Sequence, residues 1–280
     1  QDEISFFDGK LELDGGVRWE QEHKNRFGAY WGRKVSYEDV WDKHFVNYSL
    51  GMVYHFTPKF SSSFRYGKGT LPHGNRLTRS GEMEEDEERK KYDLGFEYHW
   101  SRLLTTRLNF FWIDQKDAIE SVGTMPVHEL IGYWVDVYKN VNRQKKGIEF
   151  EVDGELSGNF RYFANYSFLH RKNRSDDTRD KDQPEHIMSL GLRYNNGRIV
   201  ANLTGKYESS AESSRGPYPT TRNKDYFNLN ANVGYIFKYM NLENKVYIDF
   251  RNILDDEWRE HYAYDEYGTT VLMGYTVKFR

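Results

Sequence analysis

An alternation of apolar and polar residues at period two runs through most of this chain. That period puts successive side chains on opposite faces of a strand. In 92–100, Tyr92, Leu94, Phe96, Tyr98 and Trp100 share one face, and Asp93, Gly95, Glu97 and His99 share the other. In 148–156, Ile148, Phe150, Val152 and Leu156 oppose Glu149, Glu151, Asp153 and Glu155. Phe160, Tyr162, Ala164, Tyr166 and Phe168 alternate with Arg161, Asn165 and Ser167. Phe227 to Phe237 repeats the pattern against Asn228, Asn230, Asn232 and Gly234, and Val271, Met273, Tyr275, Val277 and Phe279 close the series. One polar face is ordinary on a solvated sheet. Charge on nearly every strand's polar face suggests instead a water-filled lumen behind an apolar outer wall.

The composition agrees. Apolar residues are 38% of the 280, yet aromatics reach 17%, with 22 Tyr, 18 Phe and 7 Trp. Disordered chains are poor in aromatics. Forty Lys+Arg against 43 Asp+Glu lack the basic surplus of a nucleic-acid binder, so no nucleic-acid partner is expected. Cysteine is absent, which excludes disulfide scaffolds, thiolate metal sites and Cys nucleophiles. No run of apolar residues is long enough for a membrane helix. The chain begins at Gln1, so a removed leader or a longer parent protein is expected.

About twelve alternating runs have roughly the length of a tilted membrane strand. They fall near 10–20, 44–56, 59–67, 91–101, 103–115, 144–156, 159–171, 185–195, 197–208, 225–238, 243–253 and 268–279. Short turns (Thr57-Pro58-Lys59, Ser101-Arg102, Ser157-Gly158-Asn159, Asn195-Asn196-Gly197, Tyr239–Glu243) alternate with long polar loops near 21–43, 68–90, 116–143, 172–184, 209–224 and 254–267. The expected fold is therefore all-β: a single outer-membrane domain over 1–280, an antiparallel up-and-down β-barrel with short periplasmic turns and long extracellular loops. An even strand number places both termini in the periplasm.

Several stretches resemble the C-terminal barrel of TonB-dependent outer-membrane receptors. They are Gly16-Val17-Arg18-Trp19; Arg65-Tyr66-Gly67-Lys68-Gly69 with Leu71-Pro72; the acid-rich run into Tyr92-Asp93-Leu94-Gly95-Phe96; Asn140-Val141-Asn142 with Gly147-Ile148-Glu149; and Pro184-Glu185-His186. The most specific is Asp249-Phe250-Arg251-Asn252-Ile253-Leu254-Asp255-Asp256-Glu257-Trp258. The terminal Gly274-Tyr275-Thr276-Val277-Lys278-Phe279 resembles a barrel-assembly signal, although Arg280 follows the aromatic. Their common order covers 11–280. The family's N-terminal plug and TonB box find no counterpart, so the resemblance implies the last strands of a barrel of about 22. It implies an outer-membrane protein of a Gram-negative bacterium that captures a scarce ligand, such as an iron chelate, and imports it with inner-membrane energy. The implied partners are outer-membrane lipid, the assembly machinery acting on the last strand, and a small-molecule or metal-chelate ligand. An open arc leaves unsatisfied edges in lipid. Either a second polypeptide carries the plug and remaining strands, or the chain closes on itself as a passive pore or scaffold.

The expected lumen-facing residues are Glu97, His99, Glu149, Glu151, Asp153, Arg161 and Arg193; the carboxylates pair with Arg and Lys on neighbouring strands, such as Arg161 and Arg193, in preference to forming an acidic patch that attracts cations. Expected membrane-facing residues are Tyr98, Trp100, Trp112, Phe150, Tyr235 and Phe279; Trp19, Tyr98, Trp100, Trp112 and Tyr235 suit an interfacial girdle. In the long loops, Tyr30, Trp31, Tyr133, Trp134 and Tyr218 are candidate ligand-binding residues, and a girdle role is an equal reading. The acidic run Glu82–Glu88 and the mixed run Arg171–Asp182 read as solvated loops, the second also as a polysaccharide contact. Scattered His residues lack ligand spacing, so no metal site is expected. No cofactor and no catalytic residue are expected, because Gly-x-Ser-x-Gly, P-loop and dinucleotide motifs are absent.

Overall fold

The computed structural model describes residues 2–25, 28–30, 33–35, 40–72, 85–126, 134–213, 221–257 and 268–279. The period-two segments form strands: β1 (Asp2–Phe6), β2 (Leu11–Asn25), β3 (Gly28–Tyr30), β4 (Arg33–Val35), β5 (Val40–Thr57), β6 (Phe60–Leu71), β7 (Glu87–Ser101), β8 (Leu104–Pro126) and β9 (Trp134–Ser157). They continue as β10 (Phe160–Asn173), β11 (His186–Asn195), β12 (Ile199–Glu208), β13 (Ala211–Ser213), β14 (Thr221–Asn223), β15 (Tyr226–Tyr239), β16 (Leu242–Arg251) and β17 (Thr270–Lys278). Thirteen form one antiparallel up-and-down sheet in the order β1-β2-β5-β6-β7-β8-β9-β10-β11-β12-β15-β16-β17. β3–β4 and β13–β14 are small hairpins inside two of the long connections.

Through the middle of the sheet, register carries each face from strand to strand; it shifts beside the short turns at His55/Thr57, His99/Ser101 and Phe160/Arg161, and in the upper part of the β8–β9 pair. Glu97 stands opposite Arg107, Arg107 opposite Glu151, Glu151 opposite Asn165, Asn165 opposite Ser189, and Ser189 opposite Lys206. One residue away, Phe96, Leu108, Phe150, Tyr166, Met188, Tyr207 and Phe227 stand in line on the other face. A slip of one position would exchange the two faces, so the alternation fixes the pairing.

No ordinary core forms between these faces. Among the described residues, Phe45, Ala118 and Val141 are the buried apolar side chains, while Val17 is 77% and Leu50 54% exposed. The accessible surface is 19693 Å², against roughly 12600 Å² for a globular chain of this mass. So wide an apolar face is not tolerated in water and suits hydrocarbon. Its aromatic rows fit that reading. Tyr66, Tyr92 and Trp112 lie in register toward the long-loop end, with Lys146 over the Trp112 ring. Phe60, Tyr98 and Trp100 cluster toward the short turns. From Trp100 to Tyr92, a strand tilted by about 40° climbs roughly 21 Å, close to the ~25 Å apolar band of a membrane barrel.

All described short turns lie at one end of the sheet and the long connections at the other, as the sequence implies. Two features differ, and a third agrees with one of the two alternatives above. A thirteenth strand, β1, precedes the expected set; its five residues are too few to declare a period. β8 and β9 run on to Pro126 and Trp134, so much of the expected 116–143 loop is a paired ribbon; the expected 21–43 loop likewise begins and ends as the β2–β5 ribbon. Finally, the described sheet is open, with β1 and β17 at its edges. With β1 added, those edge strands run in the same direction. Joining them would break the antiparallel alternation, and residues 2–6 descend toward the short-turn end rather than rising from it.

Candidate functional site

The charged face divides into two zones. Toward the short turns, Arg107 on β8 is the hub. It donates to Glu97 and to Asp153 at 2.7 Å each and lies 3.7 Å from Glu151. His99 Nε2 is 2.7 Å from Glu97, and Asn109 donates to Glu149 at 3.2 Å. Arg161 donates to Glu155 at 2.8 Å. The carboxylates thus pair with arginines of neighbouring strands as expected, although of the two examples only Arg161 takes part. Arg161 takes one carboxylate, but Glu151 and Asp153 turn to Arg107. Arg193 stands opposite Arg161 and forms no ion pair among the described residues. Glu97, His99, Glu149, Glu151, Asp153, Arg161 and Arg193 all share this face. Tyr98, Trp112, Phe150 and Tyr235 share the opposite one; Trp100, at the β7–β8 bulge, bonds Thr106 and packs on Tyr98 there. Phe279 lies beyond β17, highly exposed.

Toward the long loops the same face is dense. The run Arg171–Asp182, expected to be solvated, is exposed over most of its length, but it folds as a hairpin whose base at Arg171 and Asn173 is buried. Asn173 N–H donates to Thr178 at 2.8 Å and Asp180 N–H to Arg171 at 3.2 Å. This brings Asp180 to 2.8 Å from Arg171 and 3.9 Å from Arg143, with Asp182 on Arg171 as well. Arg171 is buried because β9, β10 and the hairpin surround it. Arg143 also holds Glu120 at 2.8 Å, which Lys139 approaches at 3.3 Å. Glu87, expected in a solvated run, is buried; it accepts from Gln115 at 2.7 Å and pairs with Arg89. Glu82 to Glu84 lie outside the described residues. Burial opposes the charge on Asp180, but Asp182, Arg171 and Arg143 outweigh it and hold its carboxyl below the usual range. Burial and the Asp180 neighbour push the Asp182 carboxyl up. Bonds from the Thr178 hydroxyl and backbone hold Asp176 low.

A second polar region lies on β12, β15 and β16, where Asn202, Thr204, Asn228, Asn230, Asn232, Asp249 and Arg251 line an amide-rich groove. The Asn252–Asp256 segment closes its upper end. Asn252 N–H donates to Asn230 at 2.9 Å, and Asp256 N–H to Asn252 Oδ1 at 3.1 Å. Asp256 accepts from Phe227 N–H at 2.8 Å, and Asp255 from Thr269 N–H at 2.8 Å. Asn252 and Asp255 hold positive φ (49° and 53°), a conformation Asn and Asp tolerate better than most residues. The Asn-x-x-Asp-Asp pattern is thus a cap for three strands, and its backbone demands explain its residue types.

Of the loop aromatics, Tyr30 and Trp134 have described backbones in β3 and β9, but their side chains lie outside the described residues, as do Trp31, Tyr133 and Tyr218 entirely. Among the described residues no three His, Cys, Asp or Glu side chains converge as a metal site. What reasoning from the sequence missed is the cluster of Gln115, Arg143, Lys145 and Arg171. Its members lie on three strands, and only the register brings them together.

Residues 1–253 match the family model described as TonB dependent receptor-like, beta-barrel. An uncharacterized TonB-dependent receptor of Haemophilus influenzae is 30% identical over 161 residues, covering 54% of this chain and 44% of that protein. Among solved structures, P. aeruginosa FpvA bound to heterologous pyoverdines superposes with a TM-score of 0.76 at 14% identity, over 98% of this chain and 37% of that one. The ferric-catecholate import receptor Fiu from K12 E. coli gives 0.70 at 17% identity, over 95% of this chain and 42% of that one. The match therefore spans less than half the length of each of these relatives.

Proposed function

The chain belongs to the TonB-dependent receptor β-barrel family, and from that premise we propose that it forms barrel wall and ligand-facing loops of a receptor importing a scarce ligand such as an iron chelate. The family is one of Gram-negative outer-membrane receptors and transporters, not enzymes. The observation that carries the proposal is the sorting of one sheet into an apolar face and a charged face, with the densest charge at the long-loop end. On this reading residues 1–280 are one barrel domain of an outer-membrane protein. Tyr98, Trp100, Trp112, Phe150, Tyr235 and Phe279 face lipid, and Glu97, His99, Glu149, Glu151, Asp153, Arg161 and Arg193 face the lumen. Tyr30, Trp31, Tyr133, Trp134 and Tyr218 contact the ligand from above. The β1 and β17 edges take further strands, from the same or a second polypeptide, and the last strand engages the assembly machinery. The names of FpvA and Fiu, a pyoverdine-binding and a ferric-catecholate protein, support an iron chelate as the ligand class.

Growth on ferric chelates as sole iron source tests this in cells carrying the receptor, with and without TonB. Growth on at least one chelate should require TonB. Trp31→Ala or Trp134→Ala should raise the chelate concentration required about fivefold, the loss of ~1 kcal/mol of ring stacking. TonB-independent uptake together with steady single-channel conductance would replace this reading with a passive pore.

A further inference from the structure

The charge cluster at the long-loop end is unevenly matched. Glu120 takes Lys139 and Arg143, Glu87 takes Arg89, and Arg171 takes Asp180 and Asp182. Lys145 is left over. It stands opposite Arg171 on one side and Ile113 on the other. Arg171 stands across the strand pair and Arg143 two residues along the same face, and the charges of Arg89 and Glu87 also act on Lys145. Among the described residues no carboxylate reaches ion-pair distance of its ammonium. Nearby, Arg171 Nε is a buried donor without a hydrogen-bond partner, Arg143 Nε reaches only Asp180 at 3.9 Å, and Gln115 Oε1 is a buried acceptor without a hydrogen-bond partner. Crowded cations with an idle donor are costly alone and favourable around an anion.

The two acids on Arg171 differ. Asp180 is anchored by its own backbone bond to Arg171, and its side chain is 16% exposed. The Asp182 side chain is 52% exposed, at the open side of the cluster. We propose that Lys145, Arg143 and Arg171 form a site for a soluble multivalent carboxylate, and that Asp182 is its internal occupant, swinging away as a ligand carboxylate takes Arg171. The site lies on the face opposite the apolar one, so a lipid headgroup does not reach it. The inference rests on the receptor reading above and adds the charge class of the ligand and the group that competes with it.

Citrate serves as the probe, with acetate as the monovalent control, on the full chain in outer-membrane vesicles. Removing the competing charge with Asp182→Asn should tighten citrate binding about tenfold. Lys145→Gln should weaken it by at least tenfold, and acetate should bind none of the variants measurably. The chain has no cysteine, so a spin label at Gln183→Cys reports the segment beside Asp182 alone; citrate should mobilise it. Heat-modifiable gel mobility checks each variant's fold; if Lys145→Gln loses the folded band, the Asp182→Asn comparison decides by itself. Equal citrate affinity in the native chain and Asp182→Asn overturns the proposal. Chelate-dependent growth is scored on the same strains. Growth intact with unchanged citrate affinity removes this site and leaves the receptor reading standing. Citrate binding as expected without TonB-dependent growth does the reverse.

Discussion

Two zones of one face, built by the same alternation, live under different physics. Near the short turns, Arg107 and its carboxylate partners are about half exposed. Near the long loops, Arg171, Gln115 and Glu87 are over nine-tenths buried. An ion pair in water is worth little, because hydration competes with it. A buried pair holds its partners only while each charge keeps its counter-charge. The lower zone is therefore a tolerant wall, and the upper zone a network in which single changes propagate.

The largest test sets both zones against the apolar face. Phe150 stands opposite Leu108 and Tyr166, midway between the aromatic rows. Phe150→Lys should cost about 2–4 kcal/mol of folding stability in lipid, the depth-dependent penalty for a lipid-facing charge. Guanidinium titration of the heat-modifiable band measures it. Next, Arg171→Leu leaves Asp180 beside Asp182 with Arg143, at 3.9 Å, as its remaining counter-charge. A fully buried pair broken this way costs ~3–5 kcal/mol, and the half-exposed Asp182 trims this to about 2–3. Arg107→Gln in the lower zone should cost under about 1 kcal/mol. If Arg107→Gln equals Arg171→Leu, the two zones do not differ.

The smallest expected effect is a pH response of the 171–182 hairpin. Asp180 is held below the ordinary carboxylate range, so its contribution is complete above that range and is lost as pH falls through its lowered value. Asp182, pushed up, works in the opposite sense and is relieved by protonation. Proteolytic cleavage within 174–185 should therefore rise only well below about pH 4 in the native chain. In Asp180→Asn it should already be high at neutral pH.

The strands were legible because a period of two leaves its mark within a few residues; Glu149 to Asp153 declare their faces without reference to any neighbour. β1 was not, since Asp2–Phe6 offers too little pattern. The β8–β9 ribbon was cut short at Gln115 and Gln144 because the residues beyond, Lys116 and Asp117 on one strand and Lys139 to Arg143 on the other, are polar except for Val141, so no alternation of apolar and polar residues declares a face. The upper cluster was illegible for another reason. Arg171 and Asp182 look like a solvated charge run until the hairpin closes and lays them beside Arg143, whose partner Glu120 comes from a third strand. Phe163 shows the same limit: a ring on the charged face makes sense only over Gly191, which a side chain of its own would fill.

The central claim is that one face of this sheet meets lipid and the other water. Because the chain lacks cysteine, single cysteines at positions 148 to 153 can be placed one at a time and labelled in outer-membrane vesicles. A charged maleimide should modify positions 149, 151 and 153, and a fluorophore at 148, 150 and 152 should be quenched by nitroxide lipids. Modification of all six positions by the charged reagent, with no lipid quenching, would contradict the account.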